Sequence, residues 1–228
     1  MRVELLQRPG SAVARVHLDA GERFTAETGS MIAMSTEIQV ETSTRSRGNQ
    51  GVLAGLKRMF SGEGFFLNHY TATRDGQELI LAPTLVGDLE VIELRGTNVL
   101  VQSGGWLGNT DDVGIETSFQ GFGVGLLSGE GFFWVKCTGN GTVVMSSFGA
   151  IYRVEVTDSY VVDTGHVVAY EDTLTMSIGK ANPSLIGSFL GGEGLVCRFT
   201  GRGTLWCQSH NAHAFGTTLG PDLLARKA

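Results

Sequence analysis

Three glutamates stand between glycines, in Gly62-Glu63-Gly64, Gly129-Glu130-Gly131 and Gly192-Glu193-Gly194. These carboxylates are the groups whose type and spacing could first suggest chemistry. They are separated by 67 and 63 residues, and three carboxylates brought to a common centre could hold a hard cation. The plainer role is structural: each accepts hydrogen bonds from backbone N–H groups where a helix gives way to a strand. A glutamate flanked by glycines at a turn suits that role, and no metal is assigned to it.

Other combinations are thinner. Cys207, His210 and His213 are zinc-type ligands at spacings of three. On a strand, residues three apart point to opposite faces, so this cluster closes only where the backbone turns. It has no Cys-x-x-Cys companion, and a buried thiol beside surface histidines is the plainer reading. Ser177 and Lys180 spell Ser-x-x-Lys without the companion elements of that chemistry, and no Gly-x-Ser-x-Gly elbow exists. The run Gly121-Phe122-Gly123-Val124-Gly125 imitates a nucleotide loop, but position 128 is serine where the third glycine belongs, and no Gly-Lys-Ser/Thr loop is present. With no nucleophile–base pair to name, the sequence points to a non-enzymatic protein with no cofactor.

The elements that would position these groups are legible as repetition. Each tripeptide is followed by an apolar run: Phe65-Phe66-Leu67, Phe132-Phe133-Trp134 and Leu195-Val196-Cys197. A turn signal comes next each time, at Asp75-Gly76, Asn140-Gly141 and Arg202-Gly203. Glycine and asparagine tolerate the positive φ of two-residue hairpins, so hairpin turns are expected there. The Thr-Gly-x-Gly-Thr blocks starting at Thr138 and Thr200 lie 62 apart, against 63 for their tripeptides. A β-bulge is expected to absorb the difference without turning side chains to the wrong face.

Ahead of the tripeptides, alternating apolar and polar residues predict half-buried strands over 14–18 and 23–27, 91–94 and 99–102, and 152–156 and 160–163. Short apolar helices are expected over 51–60, 121–127 and 183–190, after a polar loop at 41–50. In the second, Phe122, Leu126 and Leu127 stand out, and in the third Leu185, Ile186 and Phe189. These side chains either plug the ends of the β layers or form an apolar patch for self-association, another protein or a membrane surface. The tail, residues 221–227, reads as a short helix or a frayed end.

Composition supports the pattern. Glycine is 33 of 228 residues, about twice the usual ~7 %, and proline only 4. Short runs bounded by glycine make the class all-β. One domain of three parts, divided as 1–82, 83–148 and 149–228 around a pseudo-threefold axis, is the expected architecture. A net charge of −6 argues against a nucleic-acid partner, which calls for a basic face. The basic group Arg45, Arg47, Lys57 and Arg58 reads as a solvated loop and helix face. Three cysteines give no disulfide framework and fit a reducing compartment. No signal peptide, transit peptide or ~20-residue membrane span is expected, which makes the cytoplasm the default location.

The Gly-Glu-Gly blocks and paired Thr-Gly-x-Gly-Thr turns resemble the family named for altered inheritance of mitochondria, protein 24. The resemblance covers nearly the whole chain, and the block from Gly191 to Leu195 is its most typical segment. It implies a short double-stranded β-helix like the tryptophan RNA-binding attenuation protein, with three repeats arranged like adjacent subunits of that ring. It also implies a homo-oligomer, here a trimer or a multiple of it. The family's eukaryotic members are associated with the mitochondrial inner membrane and its architecture. No catalytic residue comes with it. His69, Lys136 and Arg198 would form one basic column, too sparse for RNA on so acidic a body. The leading expectation is a scaffold or interaction protein, perhaps at a membrane surface. The alternative is a module that binds a small ligand or cation between repeats.

Overall fold

A computed structural model describes residues 1–44, 66–119, 133–180 and 195–223. The described residues are nearly all strand or turn, with one short α-helix, so the class is all-β. The first stretch holds β1 (Arg2–Leu6), β2 (Val13–Leu18), β3 (Arg23–Glu27), β4 (Met31–Met34), β5 (Ile38–Thr44), β6 (Phe66–Ala72) and β7 (Gln77–Leu81). The second holds β8 (Leu89–Arg95), β9 (Val99–Gln102), β10 (Trp106–Thr110), β11 (Val113–Phe119) and β12 (Phe133–Ser146). The third holds β13 (Ile151–Val156), β14 (Ser159–Asp163), β15 (Val167–Glu171), β16 (Leu174–Lys180), β17 (Leu195–Gly201) and β18 (Gly203–Gln208). The strands read from alternation are present. In β2, Ala14, Val16 and Leu18 are buried while Arg15 and His17 stay half exposed, the period of two that a half-buried strand imposes.

Among the described residues every ladder is antiparallel, and an isolated bridge between Gly87 and Gly149 is parallel. In the first stretch β7 lies between β2 and β4, and β6 lies between β3 and β5. In the second, the C-terminal half of β12 pairs with β8 and β10, and its N-terminal half with β9 and β11. In the third, β18 lies between β13 and β15, and β17 between β14 and β16. Strand β1 covers the outer edge of β2. Two joints link the stretches, β10 on β3 and β15 on β9.

The turn signals do not make hairpins. β6 and β7 share no ladder, β17 and β18 share none, and β12 runs unbroken through Asn140-Gly141. The glycines serve corners, where a strand leaves one set of partners for another. Gly76, Gly139 and Gly201 take φ of +70°, +105° and +117°, which a side chain resists. Just past each corner a side-chain oxygen accepts a backbone N–H. Ser35 Oγ accepts from Glu78 at 3.0 Å, Thr110 Oγ1 from Thr142 at 3.0 Å, and Glu171 Oε2 from Thr204 at 2.8 Å.

No bulge falls in the described part of the interval between tripeptide and corner, and residues 129–132 and 192–194 of that interval lie outside the described ones. The ladders along 133–139 and 195–201 keep their register throughout. Register shifts occur instead in β4 between Met31 and Ala33, in β10 between Trp106 and Gly108, and in β15 between Val167 and Ala169.

The core runs across the joints in three clusters. Leu107 and Val144 pack with the first stretch, Val168, Ala169 and Trp206 with the second, and Leu100 and Trp134 with the third. Trp134 meets Tyr170 edge-on at 5.1 Å. Burial of such aromatic surface fixes the joints, since each large side chain contributes about 1.5–3 kcal/mol. Near the end of the chain, α1 (Ala212–Leu219) is capped by Asn211, whose side-chain oxygen accepts the N–H groups of His213 and Ala214. The helix therefore precedes the tail segment in which one was expected. Residues 224–228 lie outside the described ones.

Candidate functional site

The residues singled out as a repeated motif, Gly62, Glu63, Gly64, Gly129, Glu130, Gly131, Gly192, Glu193 and Gly194, lie outside the described residues. So do Phe122, Leu126, Leu127, Leu185, Ile186 and Phe189, the three expected short helices, and the basic residues Arg45, Arg47, Lys57 and Arg58.

The Cys207 cluster does not close. Cys207 is buried in β18, and burial pushes its thiol up to about 11. His210 lies beyond the strand against Phe148, with ring centroids 5.2 Å apart, and its Nδ1 is 2.8 Å from Ser209 Oγ. His213 is on α1. Among the described residues no three of His, Cys, Asp or Glu are placed to hold a metal ion. Cys137 and Cys197 are buried too, and burial pushes both up to about 12, which keeps them protonated and unreactive at neutral pH. Ser177 lies in β16, where its hydroxyl donates to the Arg198 carbonyl at 3.5 Å.

The basic column occupies matched places but is largely engaged. His69, Lys136 and Arg198 stand opposite Thr25, Leu100 and Val161. Thr25 Oγ1 and Ser43 Oγ lie 2.8 and 2.7 Å from the two ring nitrogens of His69. Lys136 pairs with Asp172 at 3.4 Å, and Arg198 is exposed.

Two features remain that could contact something else. One is a cavity of about 340 Å³ where the three stretches meet, with Glu27, Gln102, Ser147, Gly165, Gln208 and His213 in its wall. Gln208 is fully employed: its Oε1 accepts the Phe148 N–H at 2.8 Å and its Nε2 donates to the Gly165 carbonyl at 2.9 Å. Glu27 is not. Its carboxylate accepts no hydrogen bond from a described residue, and burial raises its pKa from 4.5 to about 7. Nothing in the sequence around Glu27 signalled this, because its surroundings come from distant strands.

The other feature is a pair of strand edges. Among the described residues β4 pairs only with β7, and all four of its residues, Met31, Ile32, Ala33 and Met34, are exposed. Among the described residues β14 pairs only with β17, and Ser159, Tyr160 and Val161 are exposed. The expected closure of the three parts on one another is thus not made by strand pairing, since β4 and β14 do not meet. An edge strand carrying large apolar side chains offers both unpaired backbone groups and greasy surface. Sequence reading passed over β4 altogether, because Met-Ile-Ala-Met has no alternation to announce a strand.

Comparison with known proteins places the chain. A family model described as mitochondrial biogenesis AIM24 matches residues 3–210, and the chain belongs to that family. An uncharacterized protein of Streptococcus pyogenes serotype M6 is 29 % identical over 212 residues, covering 91 % of this chain and 85 % of the relative. The crystal structure of a Streptococcus pyogenes protein superposes with a TM-score of 0.80 at 26 % identity, covering 97 % of this chain and 99 % of that one. No helix among the described residues is long and apolar enough to cross a membrane.

Proposed function

We propose that this chain is a non-enzymatic interaction protein whose working form is an assembly of identical copies. The supporting observation is the pair of apolar strand edges, β4 and β14, on a body whose thiols are all buried. Unpaired edges are templates for adding a strand from another chain, with main-chain hydrogen bonds giving affinity and side chains giving specificity. Its mechanism is presentation of surface rather than bond making, and no residue is assigned a catalytic role.

The same reading takes the chain as three copies of one β module, succeeding one another by rotation like neighbouring subunits of the tryptophan RNA-binding attenuation protein. Support comes from the ladders: four strands flanking two, in the same order, in each stretch. The register shifts after Met31, Trp106 and Val167 and the side-chain acceptors Ser35, Thr110 and Glu171 recur at matching places.

Light scattering across a concentration series tests assembly. A mass that is a multiple of 24.3 kDa, a trimer or a multiple of it, is the expected result. A monomer at tens of micromolar would overturn the proposal. Membrane contact belongs to this reading as an extension: liposome sedimentation should drop in Leu126→Asp and Phe189→Asp variants, and equal sedimentation of folded variants would remove it.

A second reading is favoured by the cavity at Glu27, a largely apolar niche with one carboxyl group in its wall that would suit a cation or a small cationic ligand. Thermal shifts with Ca²⁺, Mg²⁺ and Zn²⁺ test the cation form. A shift in the wild type that is lost in Glu27→Gln supports it, and identical melting with and without each ion discards it.

A further inference from the structure

The cavity at Glu27 is a built enclosure. On one side the cap of α1 is seated on the turn after β14: Asn211 Nδ2 donates to Asp163 Oδ1 at 3.4 Å, and a Cβ on Gly165 would collide with the Asn211 amide. Phe148 meets Phe215 of α1 edge-on at 5.2 Å, and Gln208 ties Phe148 to Gly165. With Pro83, Leu85 and Val168 in the same wall, most of the surface facing the space is carbon.

Most polar groups of the wall are spent on the wall itself. Ser146 Oγ donates to the Gly104 carbonyl at 3.5 Å, and Ser147 Oγ to the Gly149 carbonyl at 2.8 Å. Glu27 and Gln102 are not spent. Both are half-buried, and neither side chain makes a hydrogen bond or ion pair with a described residue. Their places in the ladders sharpen the contrast. Glu27, Gln102 and Asp163 stand opposite Leu67, Trp134 and Val196, each the second residue of its strand. Asp163 Oδ1 accepts the Gly165 N–H at 2.9 Å and so holds the turn that follows it. Glu27 leaves its own turn alone and stands in the cavity wall.

That wall contains no lysine or arginine. A carboxyl in such surroundings either keeps its proton or takes a positive partner from outside. We infer that the cavity binds a small organic ammonium ion, a protonated primary amine on a short apolar body, with Glu27 as counter-charge and the Gln102 amide oxygen as a second acceptor for its N–H donors; this rests on the cavity reading above and names its ligand class. A metal ion fits less well. Calcium takes about six to eight oxygen ligands, whereas one carboxyl is present and no three metal-type side chains gather among the described residues. A space of about 340 Å³ exceeds what one ion fills and stands at the small end of organic ligand sites, roughly 300–1,000 Å³.

Charge linkage gives the site a signature. Binding a cation ionises Glu27 and expels its proton, so the apparent Kd should rise about tenfold from pH 8 to pH 6. Around Glu27, β10 carries no titratable side chain. β6 carries buried Tyr70 and His69, whose ring nitrogens meet Thr25 and Ser43, and α1 brings His213 to the wall. The rise should survive in His213→Gln. Its loss there would assign the titration to the imidazole and overturn the role of Glu27.

The test is a saturation-transfer NMR titration of the full chain at pH 8 with n-butylammonium, and with n-butanol as the uncharged probe of the same length. The ammonium should bind at least tenfold more tightly than the alcohol. Glu27→Gln should weaken the ammonium at least tenfold and leave the alcohol unchanged, and Gln102→Leu should weaken the ammonium at least threefold. Equal binding of the two probes overturns the inference without need of any variant, and so does a folded Glu27→Gln that binds the ammonium as the wild type does. No ammonium binding, with a Ca²⁺, Mg²⁺ or Zn²⁺ thermal shift that Glu27→Gln abolishes, overturns the ammonium and leaves the cavity to a metal ion. Silence towards amine and metal alike overturns both.

Discussion

Glu27 ends β3 in a half-buried setting that accepts it more readily neutral than charged. With its pKa raised from 4.5 to about 7, the folded state holds a proton that the unfolded state has released. The stability this gives is fully present below about pH 4.5 and is lost as pH rises through about 7. Glu27→Gln should therefore melt higher than the wild type at pH 8 and equally at pH 4, checked by calorimetry at both. Arg8 shows the opposite arrangement. It donates to both oxygens of buried Asp88, at 2.8 and 2.9 Å, and reaches Glu90, which also pairs with Arg153. Arg8→Ala strips a buried carboxylate of a two-pronged partner and should cost about 1–3 kcal/mol in urea unfolding, with Arg8→Lys recovering only part. Neither role was legible in the sequence. Asp88 and Arg8 are eighty residues apart, and the desolvation of Glu27 comes from side chains that only the finished fold collects.

At the scale of elements, strands were readable wherever alternation was clean, as in β2, β13 and β14. Their partners were not. Asn140-Gly141 carries a strong local hairpin signal, yet β12 passes straight through it, because both of its halves find longer ladders with β8, β10, β9 and β11 than with each other. A glycine is still required just ahead of that pair, for a corner rather than a reversal. At Gly139, φ is +105° and an added Cβ would lie 2.5 Å from the Asp112 carbonyl oxygen. Gly139→Ala should destabilise by about 2–3 kcal/mol, the sum of a left-handed backbone and a displaced carbonyl. At Gly201, with the same sign of φ and a nearest atom at 3.0 Å, the cost should be nearer 1–2 kcal/mol. Equal and negligible costs in denaturant titrations would refute the corner explanation. Repetition of 62 to 67 residues raised the expectation of three related parts, but a repeat length carries no information on which edges meet.

For the whole molecule, that last point governs function. Three rhyming segments in a sequence are equally compatible with a closed body and with an open row. The difference lies in whether β4 meets β14, a pairing between residues some 130 positions apart that no local pattern encodes. The fold leaves these edges apart, with Ile32, Met34, Tyr160 and Val161 facing outward. These two edges are the surface on which the proposed assembly of copies rests. Amide hydrogen exchange of the peptides covering β4 and β14, followed at low and high protein concentration, probes this most directly. Protection of both strands at high concentration, lost at least tenfold on dilution while β11 exchanges at one unchanged rate, is the expected result. Fast exchange of β4 and β14 at every concentration would contradict assembly through these edges.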